Sequence, residues 1–97
     1  MSAESSAIWA APRYSEFVFR HWQGASFVFD PASGRTHYLN EAAAEILDKV
    51  AEEPRSTAAL LEAMVAEHPI DDPEAFRDAG RRLLTLLDQL GLIREAD

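Results

Sequence analysis

The sequence contains no cysteine, which excludes disulfide bonds, thiolate nucleophiles and cysteine-ligated zinc sites. It also has no apolar run near the roughly 20 residues that a membrane-spanning helix requires. The first seven residues include Glu4 but no positive charge, which is unlike a secretory signal peptide. We therefore expect a cytoplasmic protein.

Positive charge is also scarce, with 9 basic against 17 acidic residues and a net charge of -8. A protein that binds nucleic acid needs a basic surface, because neutralising phosphates supplies most of its non-specific affinity. An anionic membrane surface makes the same demand. The composition therefore predicts neither a nucleic-acid partner nor a membrane partner.

Motifs that carry catalysis are missing as well. His21, His37 and His68 lack the spacing of metal ligands. There is no Gly-x-Ser-x-Gly elbow, and the four glycines form no phosphate-binding loop. No pair of acidic residues stands out as a general acid and base. We predict that the protein is not an enzyme and has no catalytic residues, no metal site and no cofactor.

The composition that remains is that of one small globular domain, with 97 residues of which 47% are hydrophobic. Residues 1–12 begin with a polar tail and are predicted to be a flexible N-terminal segment. Residues 13–97 are predicted to form the folded domain. The role of Trp9 in the first segment is left open.

Three predicted strands cover residues 16–22, 26–30 and 35–39, where side chains alternate with a period of two. The last two are joined by a turn in which Pro31 presets φ and Gly34 can take the left-handed conformation. The pattern predicts an antiparallel meander. In the simplest strand order, residues 35–39 lie at an edge.

Three helices are predicted to follow, which gives the order βββααα and a winged-helix-like α+β fold. Asn40 can cap the first helix, Ser56 or Thr57 the second, and Asp72 the third. Helical spacing predicts a buried stripe on the first helix at Ala43, Ile46, Leu47 and Val50. The predicted core stripe of the third helix is Phe76, Ala79, Leu83, Leu86, Leu87 and Leu90.

Aromatic residues are concentrated in the predicted sheet. We expect the phenylalanines to form its core. Tyr38 and Trp22 each carry a polar group on a large ring, so they are better candidates for a surface contact.

Gly80 lies inside the apolar arc of the third helix, where glycine costs about 1 kcal/mol relative to alanine. One explanation is the close approach of a guest strand between this helix and residues 35–39. The other is tight packing against the protein's own helix or sheet, and the sequence does not decide between them.

Residues 27–47, FVFDPASGRTHYLNEAAAEIL, resemble the signature of PqqD-like peptide chaperones, the RiPP recognition elements. The shared features are a hydrophobic strand, a turn that ends in glycine, an aromatic-Leu-Asn strand end, an alanine-rich helix and a final Gly-Leu-Ile. In this sequence they are Val28–Asp30, Gly34, Tyr38–Asn40, residues 42–47 and residues 91–93. Thr36-His37, with Trp9 near the start, resembles the subgroup associated with HPr-kinase-related proteins.

The resemblance implies a non-catalytic module that captures the leader of a ribosomally made precursor peptide and presents it to a modifying enzyme. The leader would add as a strand to an edge formed by Arg35, Thr36, His37, Tyr38 and Leu39. A wall of the groove would be formed by Arg77, Gly80, Arg81 and Leu84. Exposed edges supply unpaired backbone groups, which fits this role. Arg77 and Arg81 would suit an acidic leader, or would only keep the helix soluble.

Two alternatives stay open. A winged-helix transcription regulator would use a similar framework, but residues 40–50 and 56–68 contain only Lys49 as a positive charge. A plain protein-interaction or dimerisation domain could pair the same edge with a second copy. The sequence leaves a monomer and a homodimer equally possible.

Overall fold

The computed structural model describes residues 7–96, in which six strands and three helices form a mixed α+β fold. The predicted winged-helix-like order of three strands followed by three helices is confirmed, with three further short strands added. The elements are β1 (Ile8–Ala10), β2 (Val18–Trp22), β3 (Ala25–Asp30), β4 (Arg35–Leu39), α1 (Glu41–Glu52), β5 (Arg55–Ser56), α2 (Thr57–Glu67), α3 (Pro73–Gln89) and β6 (Arg94–Ala96).

The main sheet is an antiparallel meander in the order β2-β3-β4. Its register pairs Val28 with Phe19 on one side and with His37 on the other. The turn into β4 closes as predicted, because the Gly34 N–H donates to the Asp30 carbonyl at 2.8 Å and Gly34 has φ of 72°. This turn fixes β4 at one side of the sheet.

A second, smaller sheet has the order β5-β1-β6, which joins the start of the described chain to its end. The Trp9 indole N–H donates to Thr57 Oγ1 at 2.8 Å, so β1 is also held to the first turn of α2. Residues 8–10 fall within the segment that we predicted to be flexible, and here they form a paired strand. Residues 1–6 lie outside the described residues, and the predicted boundary at residue 12 stays a prediction.

The three helices begin where their capping residues predict. Asn40 Oδ1 accepts from the Ala43 N–H at 2.8 Å, Ser56 Oγ from the Ala59 N–H at 3.0 Å, and Asp72 Oδ1 from the Ala75 N–H at 3.1 Å. Each bond satisfies a backbone donor that the helix itself leaves unpaired. Across residues 7–96, no helix is long and apolar enough to cross a membrane.

One hydrophobic core joins the inner face of the main sheet to all three helices. The whole predicted stripe of α1 is buried in it, and Val28 and Leu39 contribute from the sheet. The expectation for the phenylalanines is only partly right. Phe17 is buried, but Phe29 is exposed on the outer face of the sheet.

The predicted stripe of α3 is wrong at Leu86, whereas Leu87 is buried and Phe76, Leu83 and Leu90 pack against the core. Gly80, Leu84 and Leu87 are buried, whereas Leu86 is 43% exposed. The buried face of α3 therefore includes Gly80 and Leu84, which the predicted stripe left out, and Gly80 lies against Leu61 of α2.

Substitution of Gly80 tests this contact. A Cβ at this position would lie 2.5 Å from Leu61 Cδ2, and Leu61 is itself buried. We expect Gly80→Ala to lower the free energy of unfolding by about 1 kcal/mol, because overpacking costs about 1–3 kcal/mol and the gain in helix propensity is about 1 kcal/mol. In a Leu61→Ala background the space exists, so the same change should raise stability. Urea denaturation of the wild type, the two single variants and the double variant measures the stability change from Gly80→Ala in both backgrounds. The same sign in both would contradict the contact between Gly80 and Leu61.

Acid titration tests the ion pair that anchors the turn before β4. Burial by itself would raise the pKa of Asp30, but hydrogen bonds from the Arg13 guanidinium and the Ala32 N–H lower this pKa below 3.8. The unfolded chain then binds a proton at higher pH than the folded chain, so this stability is present above the usual carboxyl pKa and is lost as pH falls through the lowered value. We expect Arg13→Met to raise the pH of acid unfolding, followed by circular dichroism; an unchanged midpoint would contradict the assignment.

Candidate functional site

Strand β4 is the part of the predicted site that the sheet leaves open. It pairs with β3 on one side, and no strand from residues 7–96 pairs with its other side. An edge of this kind presents unpaired N–H and C=O groups to any extended segment that approaches. The opposite edge of the same sheet is β2. Any preference of a peptide for β4 over β2 must therefore come from the side chains of the two strands.

The outer face of β4 carries Thr36 and Tyr38, both exposed. The Tyr38 ring is 63% exposed and packs edge-to-face on Phe27, with ring centroids 5.6 Å apart. Phe29 pairs with Thr36 and extends the same apolar face. Tyr38 and Trp22 are thus surface aromatics, as the sequence predicted.

The inner face of β4 carries Arg35, His37 and Leu39, because side chains alternate along a strand. Leu39 is buried in the core. His37 is half-buried, and its Nε2 is buried without a hydrogen-bond partner among the described residues. The guanidinium of Arg35 is exposed and makes no ion pair with any residue in the range 7–96. The inner half of the edge therefore offers two side chains with unused hydrogen-bonding capacity.

Two of the predicted wall residues on α3 have partners on α2. The Arg77 guanidinium donates from Nε and Nη2 to the two carboxylate oxygens of Glu62, at 2.6 and 3.2 Å. This bond lowers the pKa of Glu62. Gly80 faces Leu61, so the close approach at this glycine is with the protein's own helix, one of the two explanations left open by the sequence.

The other two wall residues line a cavity of about 300 Å³ between α3 and the small sheet. Leu84 is almost completely buried at its base, and Arg81 is exposed at its rim. Trp9, Thr57 and Glu95 complete much of the lining. The four predicted residues of α3 thus face α2 and the small sheet, and β4 packs mainly against β3 and α1.

The histidines are each used differently. His21 Nδ1 lies 2.9 Å from Ser26 Oγ, within the sheet. His68 Nε2 lies 2.9 Å from Glu45 Oε2, and Glu67 completes a group with metal-ligand chemistry that the sequence pattern had not indicated. The ammonium of Lys49 lies 2.8 Å from Glu67 and 4.0 Å from Glu45. Lys49 thus lies beside both carboxylates, and the four side chains form a surface ion-pair network.

Comparison with known proteins decides the family. The sequence profile described as Coenzyme PQQ synthesis protein D (PqqD) matches residues 26–93, from β3 to the end of the segment after α3. The chain belongs to the PqqD family. The predicted resemblance to PqqD-like RiPP recognition elements is therefore confirmed, and the HPr-kinase-related subgroup stays a prediction.

A solved structure shares the PqqD fold of this chain. It is that of TbiB1 in complex with the TbiA(beta) leader peptide, with a TM-score of 0.65 and 19% sequence identity. The similarity covers 84% of this chain and 94% of the TbiB1 chain. No curated protein matches the chain.

The PqqD profile begins at residue 26, so β1 and β2 lie outside the matched residues. The cavity lined by Trp9 and Glu95 is the feature of this family member that sequence reasoning missed. Its signal was weak, because the two residues are far apart in the chain and meet only through the pairing of β1 with β6.

Proposed function

We propose that this protein binds a peptide by strand addition to the free edge of β4, and that the peptide is the leader of a ribosomally made precursor. The observation that supports this most is the open edge of β4 in a member of the PqqD family. The complex of TbiB1 with a leader peptide, in a similar fold, supports the same role.

Strand addition suits a carrier of leader peptides because main-chain hydrogen bonds supply affinity with little demand on sequence. Side chains on alternate faces then supply selectivity. Residues 35–39 offer both, since Thr36 and Tyr38 border one face of an added strand and Arg35 and His37 border the other. Leu39 anchors the strand in the core.

The contacts that α3 makes within the protein bear on which of its four predicted residues a peptide can contact. Arg77 and Gly80 hold α3 to α2, and their contact with a peptide stays a prediction. Arg81 and Leu84 line the open cavity between α3 and the small sheet, and their contact with a peptide also stays a prediction. Arg81 would receive an acidic side chain of a peptide that entered this cavity.

The role proposed for the protein is non-catalytic. It would hold the leader in an extended conformation and present the remainder of the precursor to a modifying enzyme. Holding one end of a flexible substrate raises its effective concentration at the enzyme, without any chemistry by the carrier.

Isothermal titration calorimetry tests the proposal. The probes are synthetic peptides that cover the short open reading frames encoded beside this chain's gene, each titrated into the full chain with and without the neighbouring modifying enzyme. We expect one of them to bind saturably with one peptide per chain. No binding by any of these peptides, alone or with the enzyme, would falsify the proposal.

The same edge could pair with its own copy, which is the runner-up interpretation for this surface. Sedimentation velocity at several concentrations separates the two. A leader-binding module gives a monomer, or a dimer that the peptide dissociates. A stable dimer that excludes the peptide would place the edge in the dimer interface and contradict strand addition there.

A further inference from the structure

We propose that His37 and Arg35 select for guest peptides with an acidic side chain on the inner face of the added strand, His37 receiving it at the paired position. The inference rests on the proposed function and names the class of peptide that the edge accepts. The observation that carries it is the buried Nε2 of His37, which has no hydrogen-bond partner in the described part of the chain.

The position of His37 in the sheet fixes which neighbour can satisfy it. On the β3 side its paired residue is Val28, which has no polar side-chain atom. The inner-face residues diagonal to it, Ser26 and Asp30, are committed to His21 and Arg13. The strand pairing leaves one open side, the vacant edge, where an added strand places a residue directly opposite, with Cβ atoms about 4.5–5.5 Å apart. Nε2 itself is sealed from solvent in the free protein, so the imidazole must turn toward this edge to reach the guest.

A buried polar atom without a partner costs about 1–3 kcal/mol. A guest that gives Nε2 a hydrogen-bond partner would recover part of this cost. Several kinds of acceptor could bond to Nε2 of His37, and the positive charge of Arg35 favours an anionic one. Arg35 lies two residues away on the same face, and its guanidinium has no ion pair within residues 7–96. A carboxylate can accept from both side chains, whereas a neutral hydroxyl gains little from the cation.

The negative net charge of the protein sets the surface at His37 and Arg35 apart from most of the remaining surface. The chain carries a net charge of -8, so an acidic peptide is repelled over most of the surface and attracted where cations are free. On the outer face, β4 carries only the uncharged Thr36 and Tyr38, and the cation of that face, Arg20, belongs to β2, two strands from the edge. The requirement for acid therefore applies only to alternate guest residues, those on the inner face.

The experiment begins with a phage-displayed library of random 20-residue peptides selected on the full chain. An enriched peptide is synthesised in three forms: as selected, with its acidic residue changed to alanine, and with that residue moved by one position. Moving it by one places it on the opposite face of the added strand. Each form is titrated against the wild-type chain, His37→Phe and His37→Gln.

We expect the wild type to lose about tenfold in affinity for the second and third forms, the size of a lost hydrogen bond to a charged group. His37→Phe keeps the volume but has no ring nitrogen, so its loss of affinity for the second and third forms should shrink to the smaller part that Arg35 supplies. His37→Gln keeps a donor and should retain part of the difference. Circular dichroism checks that both variants fold.

The inference is overturned if enriched peptides show no acidic residue, or if the acid contributes equally to binding by the wild type and by both variants. In either case peptide binding itself stands. If neither the library nor the encoded leader peptides yield a peptide that binds the wild type, the proposed function fails and this inference fails with it.

Discussion

A guest peptide methylated on one backbone nitrogen at a time will lose affinity with a period of two residues. In an antiparallel pair only every second residue exchanges hydrogen bonds with the facing strand, and the others point away. A methyl group on a bonded nitrogen removes the donor and leaves a carbonyl of β4 unpaired. We expect each such peptide to bind about ten- to a hundredfold more weakly, from about 1–3 kcal/mol for an unsatisfied group. Calorimetry on the full chain measures the series.

The peptides methylated at the alternate positions are the internal control, because their nitrogens face solvent and their affinity should change little. Loss at consecutive positions would indicate a helical or compact guest. No loss at any position would mean that side chains alone hold the peptide, and strand addition would be excluded.

Truncation of Leu84 will cost far more stability than truncation of Leu86 two residues later on the same helix. Leu84 is 1% exposed in the core cluster, and Leu86 is 43% exposed. We expect Leu84→Ala to lower the free energy of unfolding by about 2–5 kcal/mol, because a buried leucine leaves a cavity. Leu86→Ala should cost about 1 kcal/mol or less. Urea denaturation measures both.

The same two variants also test whether Leu84 serves mainly as a wall of the predicted peptide groove. If Leu84 served mainly to contact a peptide, its truncation would leave folding stability close to that of the Leu86→Ala variant and would weaken binding instead. Equal losses of stability in the two variants would contradict the burial that the structure gives Leu84.

Local patterns in the sequence predicted the strand and helix that frame the site. The alternation of residues 35–39, the glycine of the preceding turn and the Asn40 cap each act over a few residues, so they can be read without knowledge of the fold. The strand has the predicted bounds, and Asn40 caps the helix as predicted, with its Oδ1 accepting from the Ala43 N–H. The order of the elements then placed β4 at an edge.

Long-range contacts were not predictable in the same way. Gly80 of α3 lies against Leu61 of α2, and no local pattern reports the partner of a glycine. The alternation of Phe27 and Phe29 with Val28 predicts two faces but not which one is inner, and here the smaller Val28 is buried. The small sheet was missed because β1, β5 and β6 have only two or three residues each.

The most direct test of the central claim is disulfide trapping of a guest peptide. The chain has no cysteine, so Tyr38→Cys on β4 and Trp22→Cys on β2 each introduce one exposed thiol, on the two opposite edges of the same sheet. Each variant is oxidised with guest peptides that carry one cysteine at successive positions. A disulfide forms readily only where Cα atoms lie within about 7 Å.

We expect Tyr38→Cys to trap one guest position strongly and the positions two residues away, on the same face, weakly. Trp22→Cys should trap none above background. That result would place the guest beside β4 in a single register. Trapping at Trp22→Cys as strong as at Tyr38→Cys, or trapping without preference for position, would contradict the account.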